Sequence, residues 1–335
     1  MRVEKILIRG PNWVGDAVLA IPAMKAVRAH FTQAEITLLV RPWVAGLFTS
    51  APFIDKVWSA PRPSRLLDWI RITRDMRTRR FNLALLFPNS FESALMTFMG
   101  RVPQRIGYAT DGRAWMLTNA IAPSAKKRHQ VHYYMDIVKT LSVNAEQPSI
   151  AIEATNDETA AARKLLASEG IPAEAPFLVV NPGAAYGSAK RWSEDRFADV
   201  ADVLARELGL QVAIIGSGVE QPIAEKIRGR MKSRTAVLNG KTSLETLIGV
   251  LAASTLMITN DSGPMHIAAA LGVPTVAVFG STDERVTGPY GPRIRIVKHP
   301  VECSPCLLRE CPIDHRCMTR VNVEDVCRAA RELLA

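Results

Sequence analysis

The sequence predicts an α/β protein of two Rossmann-like domains, each built on a parallel sheet. Three observations carry this. The chain has 335 residues, and a domain usually holds about 100–200. Apolar strands of four to six residues alternate with helical stretches of ten or more, the pattern of a parallel sheet with helices on both faces. The alternation stops midway and begins again.

In the first half, a strand at about 4–9 leads into a helix at about 15–30, whose apolar residues recur near the 3.6 period. EITLLV (35–40), KVWS (56–59), LALLFP (83–88) and RIGYA (105–109) follow as strands, separated by helical stretches that include the basic LLDWIRITRDMRTRR (66–80). In the second half, FLVVNPG (177–183) is a buried strand. SEDRFADVADVLARELG (193–209) is a helix with a serine cap and a terminal glycine. QVAIIG, a helix at about 219–231, TAVLNG, SLETLIGVLAAS, LMITND, PMHIAAALG and TVAVFG complete the run. Between the halves, at 142–176, proline, alanine and polar residues interrupt the pattern. The expected domains are 1–170 and 171–335, with the last helix packing back on the first.

Composition narrows the class. Hydrophobic residues make up 48% of the chain and charged ones 22%, as in a folded globular protein. No apolar run reaches the roughly 18 residues of a membrane span. MRVEKILIRG enters a strand without a signal-peptide core, so the expected compartment is the cytoplasm. Residues 1–150 hold 21 Lys and Arg against 10 Asp and Glu, while residues 151–335 hold 21 against 22. The whole basic surplus lies in the first half, which suits an anionic partner: nucleic acid, a phosphorylated glycan or a membrane surface.

In open parallel sheets, ligands bind beyond the carboxyl ends of the strands. GPNWVGD (10–16), NPGAAYGSAKRW (181–192), GSGVEQP (216–222), NGKTS (239–243), NDSGPMH (260–266) and FGSTDER (279–285) occupy those positions. In NDSGPMH, Gly263-Pro264 opens a helix whose free amides, with Ser262, make a seat for a diphosphate; Asp261 sits in the turn, and His266 is expected to project toward the same place. Gly183 belongs to a glycine loop, and Lys190 supplies a compact cation for phosphate oxygens. Glu220 follows a strand and glycine turn, where a carboxylate takes ribose hydroxyls or complements a helix dipole. A nucleoside diphosphate held in the second half leaves GPNWVGD to the other end of the substrate. There Asp16 is suited to take a proton from an acceptor hydroxyl.

Two Rossmann domains, RGPNWVGDAVLAIPAM, PGAAYGSAKRW, the D-S-G-P-x-H of NDSGPMH and CSPCLLRECPIDHRCM together resemble the ADP-heptose:lipopolysaccharide heptosyltransferases of glycosyltransferase family 9, along essentially the whole chain. The resemblance implies a GT-B fold with two sheets facing across a cleft. It implies inverting transfer of L-glycero-D-manno-heptose from ADP-heptose to the first heptose of the Kdo-lipid A inner core, without a metal. Kdo itself or a later core heptose is the alternative acceptor. By the same resemblance, Asp16 is the catalytic base and Lys190 meets the donor phosphates. Glu220 binds ribose, Thr242 lies at adenine, and Asp261, Ser262, Gly263, Pro264 and His266 form the diphosphate-heptose loop. Gly183 and Tyr186 join the donor site, although Ala185 and Tyr186 stand where related members carry two threonines. Asn12, Trp13, Gly15, Arg62 and Arg65 are the acceptor side. The partner is an anionic glycolipid, reached peripherally at the cytoplasmic face of the inner membrane.

Cys303, Cys306, Cys311 and Cys317 have the spacing C-x2-C-x4-C-x5-C, which suits zinc or an iron–sulfur knuckle. Reduced thiols in a cytosolic loop are the simpler reading, so no cofactor is expected. Nucleic-acid binding finds no motif support, and neither GPNWVGD nor GSGVEQP meets the G-x-G-x-x-G of NAD-dependent oxidoreductases.

Overall fold

The computed structural model describes residues 3–143, 148–172 and 174–335. Contacts divide the chain into two units, 1–150 and 151–335. The division falls inside the 142–176 join, of which residues 144–147 and 173 lie outside the described residues.

The first unit runs β1 (Lys5–Arg9), α1 (Val14–Leu19), α2 (Ile21–His30), β2 (Glu35–Val40), α3 (Pro42–Ala45), β3 (Lys56–Ser59), α4 (Leu66–Arg79), β4 (Leu83–Leu86), α5 (Phe91–Met99), β5 (Gln104–Tyr108), β6 (Asn119–Ile121) and α6 (Gln130–Lys139). Its six strands lie in the order β3-β2-β1-β4-β5-β6, all parallel. The helix expected over 15–30 is two. α1 ends at Ala20, and Pro22 occupies the first turn of α2, where its missing N–H costs nothing.

The second unit runs α7 (Asn156–Ser168), β7 (Phe177–Asn181), α8 (Glu194–Leu208), β8 (Gln211–Ile214), α9 (Gln221–Arg230), β9 (Thr235–Val237), α10 (Leu244–Ala252), β10 (Leu256–Asn260), α11 (Gly263–Ala270), β11 (Thr275–Val278), α12 (Glu284–Thr287), β12 (Ile294–Val297), α13 (Arg316–Thr319) and α14 (Val323–Leu334). Its strands repeat the same plan as β12-β11-β10-β7-β8-β9, again parallel. β6 and β12 were not expected. They are short edge strands with little apolar burial, so periodicity does not reveal them.

α7 packs on α10 in the second unit, which is why the division falls earlier than the expected boundary at 170. α14 packs within the second unit. Its buried Val326, Cys327 and Ala330 join Phe197 and Leu204 of α8 in one apolar core. Gly209 in the left-handed region ends α8, as its sequence suggests. Ser193 sits at the helix start, but its side chain makes no capping bond.

In both sheets the strand order reverses between the first and fourth strands. These are β1 and β4 in the first unit, and β7 and β10 in the second. Such a reversal opens a crevice at the carboxyl ends, and it positions the loops described next.

Candidate functional site

In the second unit β7 and β10 are in register, with Asn181 beside Thr259. Their carboxyl ends therefore release two loops side by side. Asn181 Nδ2 donates to Thr259 Oγ1 at 2.8 Å and to Ser262 Oγ at 2.6 Å. Asn260 accepts from the Trp192 backbone N–H at 3.0 Å and donates to Pro182 O at 2.8 Å. These two asparagines, both buried, lace the 181–192 and 260–266 loops together. Neither was singled out from sequence, where an asparagine at a strand end reads as an ordinary turn residue.

Beyond them lies a cavity of about 290 Å³. Asn181, Gly183, Ser217, Glu220, Thr242 and the Ser262–Pro264 turn are among its lining residues. α11 begins at Gly263 with Pro264 in its first turn, and Ser262 makes no side-chain cap. This helix start, not capped by the Ser262 side chain, lines the cavity at Ser262–Pro264, where the helix dipole favours an anion. Across from them Glu220 is nearly buried. One carboxylate oxygen accepts from Ser217 N at 2.9 Å and Ser217 Oγ at 2.7 Å. A Cβ on Gly183 would stand 2.1 Å from Glu220 Oε1, so only glycine lets this carboxylate reach the cavity wall. Thr242 with Ser243, Leu244, Leu247 and Ile215 forms a side that is part hydroxyl, part apolar.

Lys190 follows in the short helical turn at Ser188–Lys190. Its Nζ pairs with Asp261 Oδ2 at 2.6 Å and lies 4.9 Å from the centre of the Tyr186 ring. Thr282 Oγ1 donates to the same Asp261 oxygen at 2.6 Å. Asp261 thus anchors the cation, and Thr282 joins the site from FGSTDER. The expected site residues Gly183, Tyr186, Lys190, Glu220, Thr242, Asp261, Ser262, Gly263 and Pro264 therefore gather around the carboxyl ends of β7, β8, β9 and β10. His266 is buried on the first turn of α11 and is not among the residues lining the cavity.

In the first unit, GPNWVGD leaves β1 and turns into α1. Gly15 is buried, while Trp13 is exposed at the helix start. Asp16, on the first turn, meets Tyr134 of α6. Burial, and then the negative charge of Asp16, holds the fully buried Tyr134 phenol well above the usual tyrosine range, so it stays protonated and hydrogen-bonded to the carboxylate. Tyr134 escaped sequence reasoning because it arrives from a helix more than a hundred residues away.

Below the loop lies a buried guanidinium. Arg9 donates to Gly10 O, to Leu39 O at 3.3 Å and to Asn12 Oδ1, and the Trp43 indole donates to Asn12 O at 2.8 Å. Burial first, then the charge of Arg41, pushes Arg9 down to about 9 against the pull of Glu92. Glu92 pairs with the buried Arg41 and, at 2.8 Å, with the exposed Arg62. Two guanidiniums thus share one carboxylate, and its charge also reaches Arg9. Arg65 does not join them. Its backbone N–H bonds Asp68 at 3.0 Å at the start of α4. α4 buries Ile72, Thr73 and Met76 but exposes Leu66, Leu67 and Ile70 beside Arg71 and Arg74.

Among the described residues no three His, Cys, Asp or Glu side chains are gathered as a metal set, and no helix is long and apolar enough to cross a membrane. Burial, then the charges of Cys303, Cys306 and Cys311, pushes the Cys317 thiol up to about 11.

Two Rossmann-like units, the second with a helix start and a nearly buried carboxylate lining one cavity at its switch point, have the make-up of a nucleotide-sugar-dependent GT-B glycosyltransferase. The chain belongs to glycosyltransferase family 9, the heptosyltransferases, whose model matches residues 69–316. It is 30% identical over 310 residues to lipopolysaccharide heptosyltransferase 2 of Salmonella typhimurium, covering 88% of each chain. It is also 30% identical to lipooligosaccharide heptosyltransferase 2 of Campylobacter jejuni, with 98% of each chain covered. Among solved structures, the E. coli ADP-heptose lps heptosyltransferase II superimposes with a TM-score of 0.84 at 25% identity, over 98% of both chains.

Proposed function

We propose that this enzyme transfers L-glycero-D-manno-heptose from ADP-heptose to the first heptose of the Kdo-lipid A inner core, with inversion and without a cofactor. The observation that carries the reading is the second-unit cavity, whose uncapped helix start and facing carboxylate suit the two ends of a nucleoside diphosphate. The relatives, named heptosyltransferase 2, supply the sugar and the acceptor class.

The chemistry follows from the groups available. An acceptor hydroxyl attacks the anomeric carbon, and the bond from that carbon to the diphosphate oxygen breaks as the new glycosidic bond forms. Asp16 takes the hydroxyl proton, which as a positioned base contributes about 10²–10⁴-fold. The Tyr134 hydroxyl holds the carboxylate in place. ADP leaves with developing charge, met by Lys190 and the first amides of α11. Asp261 and Thr282 fix Lys190, while Glu220 takes the ribose hydroxyls and Thr242 flanks the adenine. In the first unit, Asn12, Trp13, Gly15 and Arg62 face the acceptor, and Arg65 approaches it from the start of α4. Arginines suit phosphate and Kdo carboxylate because the guanidinium fork binds them bidentately.

The enzyme works on the cytoplasmic face of the inner membrane, held there peripherally. The exposed Leu66, Leu67 and Ile70 beside Arg71 and Arg74 support this, since apolar side chains ringed by arginine suit an anionic surface.

The test is product analysis. Purified enzyme is given ADP-heptose with Kdo-lipid A, or with the same acceptor already carrying one heptose, and the new linkage is determined. Transfer only to the heptosylated acceptor is expected. Transfer to Kdo, or no transfer of heptose to either, overturns the assignment.

A further inference from the structure

The segment between β12 and α13, residues 298–315, contains no helix or strand. Long irregular segments inside compact domains need something to hold them, and apolar packing does little here: Leu307, Leu308 and Ile313 all point to solvent. Yet the segment is tightly docked. Leu307 N donates to Ser281 O at 2.8 Å, and Ser304 Oγ donates to Gly280 O at 2.6 Å. It bonds above all to the loop that carries Lys190. Ala189 N donates to Arg309 O at 2.9 Å, the Tyr186 hydroxyl donates to Leu307 O at 2.9 Å, and His315 Nε2 meets Ala189 O at 2.9 Å. The approach is so close that a Cβ on Gly187 would stand 2.2 Å from Arg309 O.

Under this segment is a small cavity of about 80 Å³, lined by Cys303, Cys306, Cys311 and Cys317 together with His315 and Ser281. All four cysteines of the C-x2-C-x4-C-x5-C pattern therefore converge on one space, although they span the whole segment. Cys317 is buried, Cys311 half-buried, and Cys303 and Cys306 exposed.

We propose that these four cysteines bind one zinc or iron ion, which locks the 298–315 segment against the Tyr186–Lys190 loop. Four thiolates in a tetrahedron are the donor set of zinc and of iron–sulfur proteins, and His315 is already engaged with Ala189 O. Among the described residues the thiols are not yet gathered as a coordination set. Binding therefore draws the exposed Cys303 and Cys306 inward to about 2.3 Å from the ion, with release of the thiol protons. The buried Cys317 is the fixed point of that closure. The ion is structural and takes no part in glycosyl transfer, and its effect on catalysis passes through the hydrogen bonds to Ala189 and Tyr186.

The experiment uses full-length protein purified under reducing conditions. Metal is removed by chelation and restored by titration with Zn²⁺ or, anaerobically, Fe²⁺, with content read by elemental analysis. Uptake of about one ion per chain is expected, with visible tetrahedral thiolate bands when Co²⁺ is used as the probe. The double variant Cys303→Ser/Cys306→Ser, altered only at exposed positions, is expected to lose at least about 10-fold in Zn²⁺ affinity. It should also be cleaved faster by protease within 298–315, while Cys327→Ala, outside the cluster, keeps the ion. Uptake well below one ion with both metals, unchanged uptake in the double variant, or recovery of the cysteines as disulfides from reduced protein would overturn the proposal.

Discussion

The two units share one strand order and differ in what they set at its switch point. In the second unit the carboxyl edge carries glycines, hydroxyls and two asparagines, and Lys190 there is paired with Asp261. In the first unit the same edge carries Arg9, Arg41 and Arg62 around Glu92, with Asp16 braced by Tyr134. A near-neutral, amide-lined seat suits a nucleotide whose phosphates are met by backbone and one lysine. A cation-rich edge suits an acceptor that is itself anionic. The scaffold is common property, and the loops divide the labour.

That division is most exposed at Asp16. Asp16→Asn should lower turnover at least about 10²-fold, the scale of losing a general base, while ADP binding, proposed for the second unit, stays unchanged by calorimetry. Wild-type turnover in this variant would make Asp16 a structural residue. Lys190→Ala probes the other side. Loss of a charge-assisted contact is worth about 1.5–3 kcal/mol, so donor binding should weaken and transfer slow together, each by roughly 10- to 100-fold. A change confined to acceptor KM would erase the distinction between the units.

A smaller effect is expected at the basic surface. Replacing Arg62, Arg65 and Arg71 with alanine together should raise acceptor KM several-fold and reduce binding to anionic liposomes, because each such charge is worth about 1 kcal/mol or less and is screened by salt. Donor KM should hold. Unchanged acceptor kinetics at both low and physiological salt would remove α4 from the acceptor side. Omission of Mg²⁺ should change nothing in initial-rate assays. A strict Mg²⁺ requirement would mean that Lys190 and the α11 amides do not suffice for the leaving diphosphate.

Much of the second-unit cavity was legible because its signals are local. Gly183, Glu220 and Ser262–Pro264 each sit where a strand yields to a helix, and glycine and proline mark such turns within a few residues. The pairings were not legible. Lys190 meets Asp261 across 71 residues, Thr282 reaches the same carboxylate from a third strand end, and Asn181 ties to Ser262 only because β7 and β10 lie in register. In the first unit the sequence singled out Asn12 and Arg62 but not Arg9, Arg41 or Glu92, whose place depends on burial and on pairing between distant residues. His266, expected at the diphosphate, is buried on the first turn of α11 and is not among the residues lining the cavity.

The alternation of strand and helix, the doubled plan and the basic first half were set by the sequence alone, since periodicity, turn residues and charge are properties of short stretches. Strand order, the docking of α14 on its own unit and the convergence of four cysteines on one cavity were decided by tertiary structure. They depend on which apolar faces bury against which, and that is fixed only when residues far apart in the chain compete for the same core.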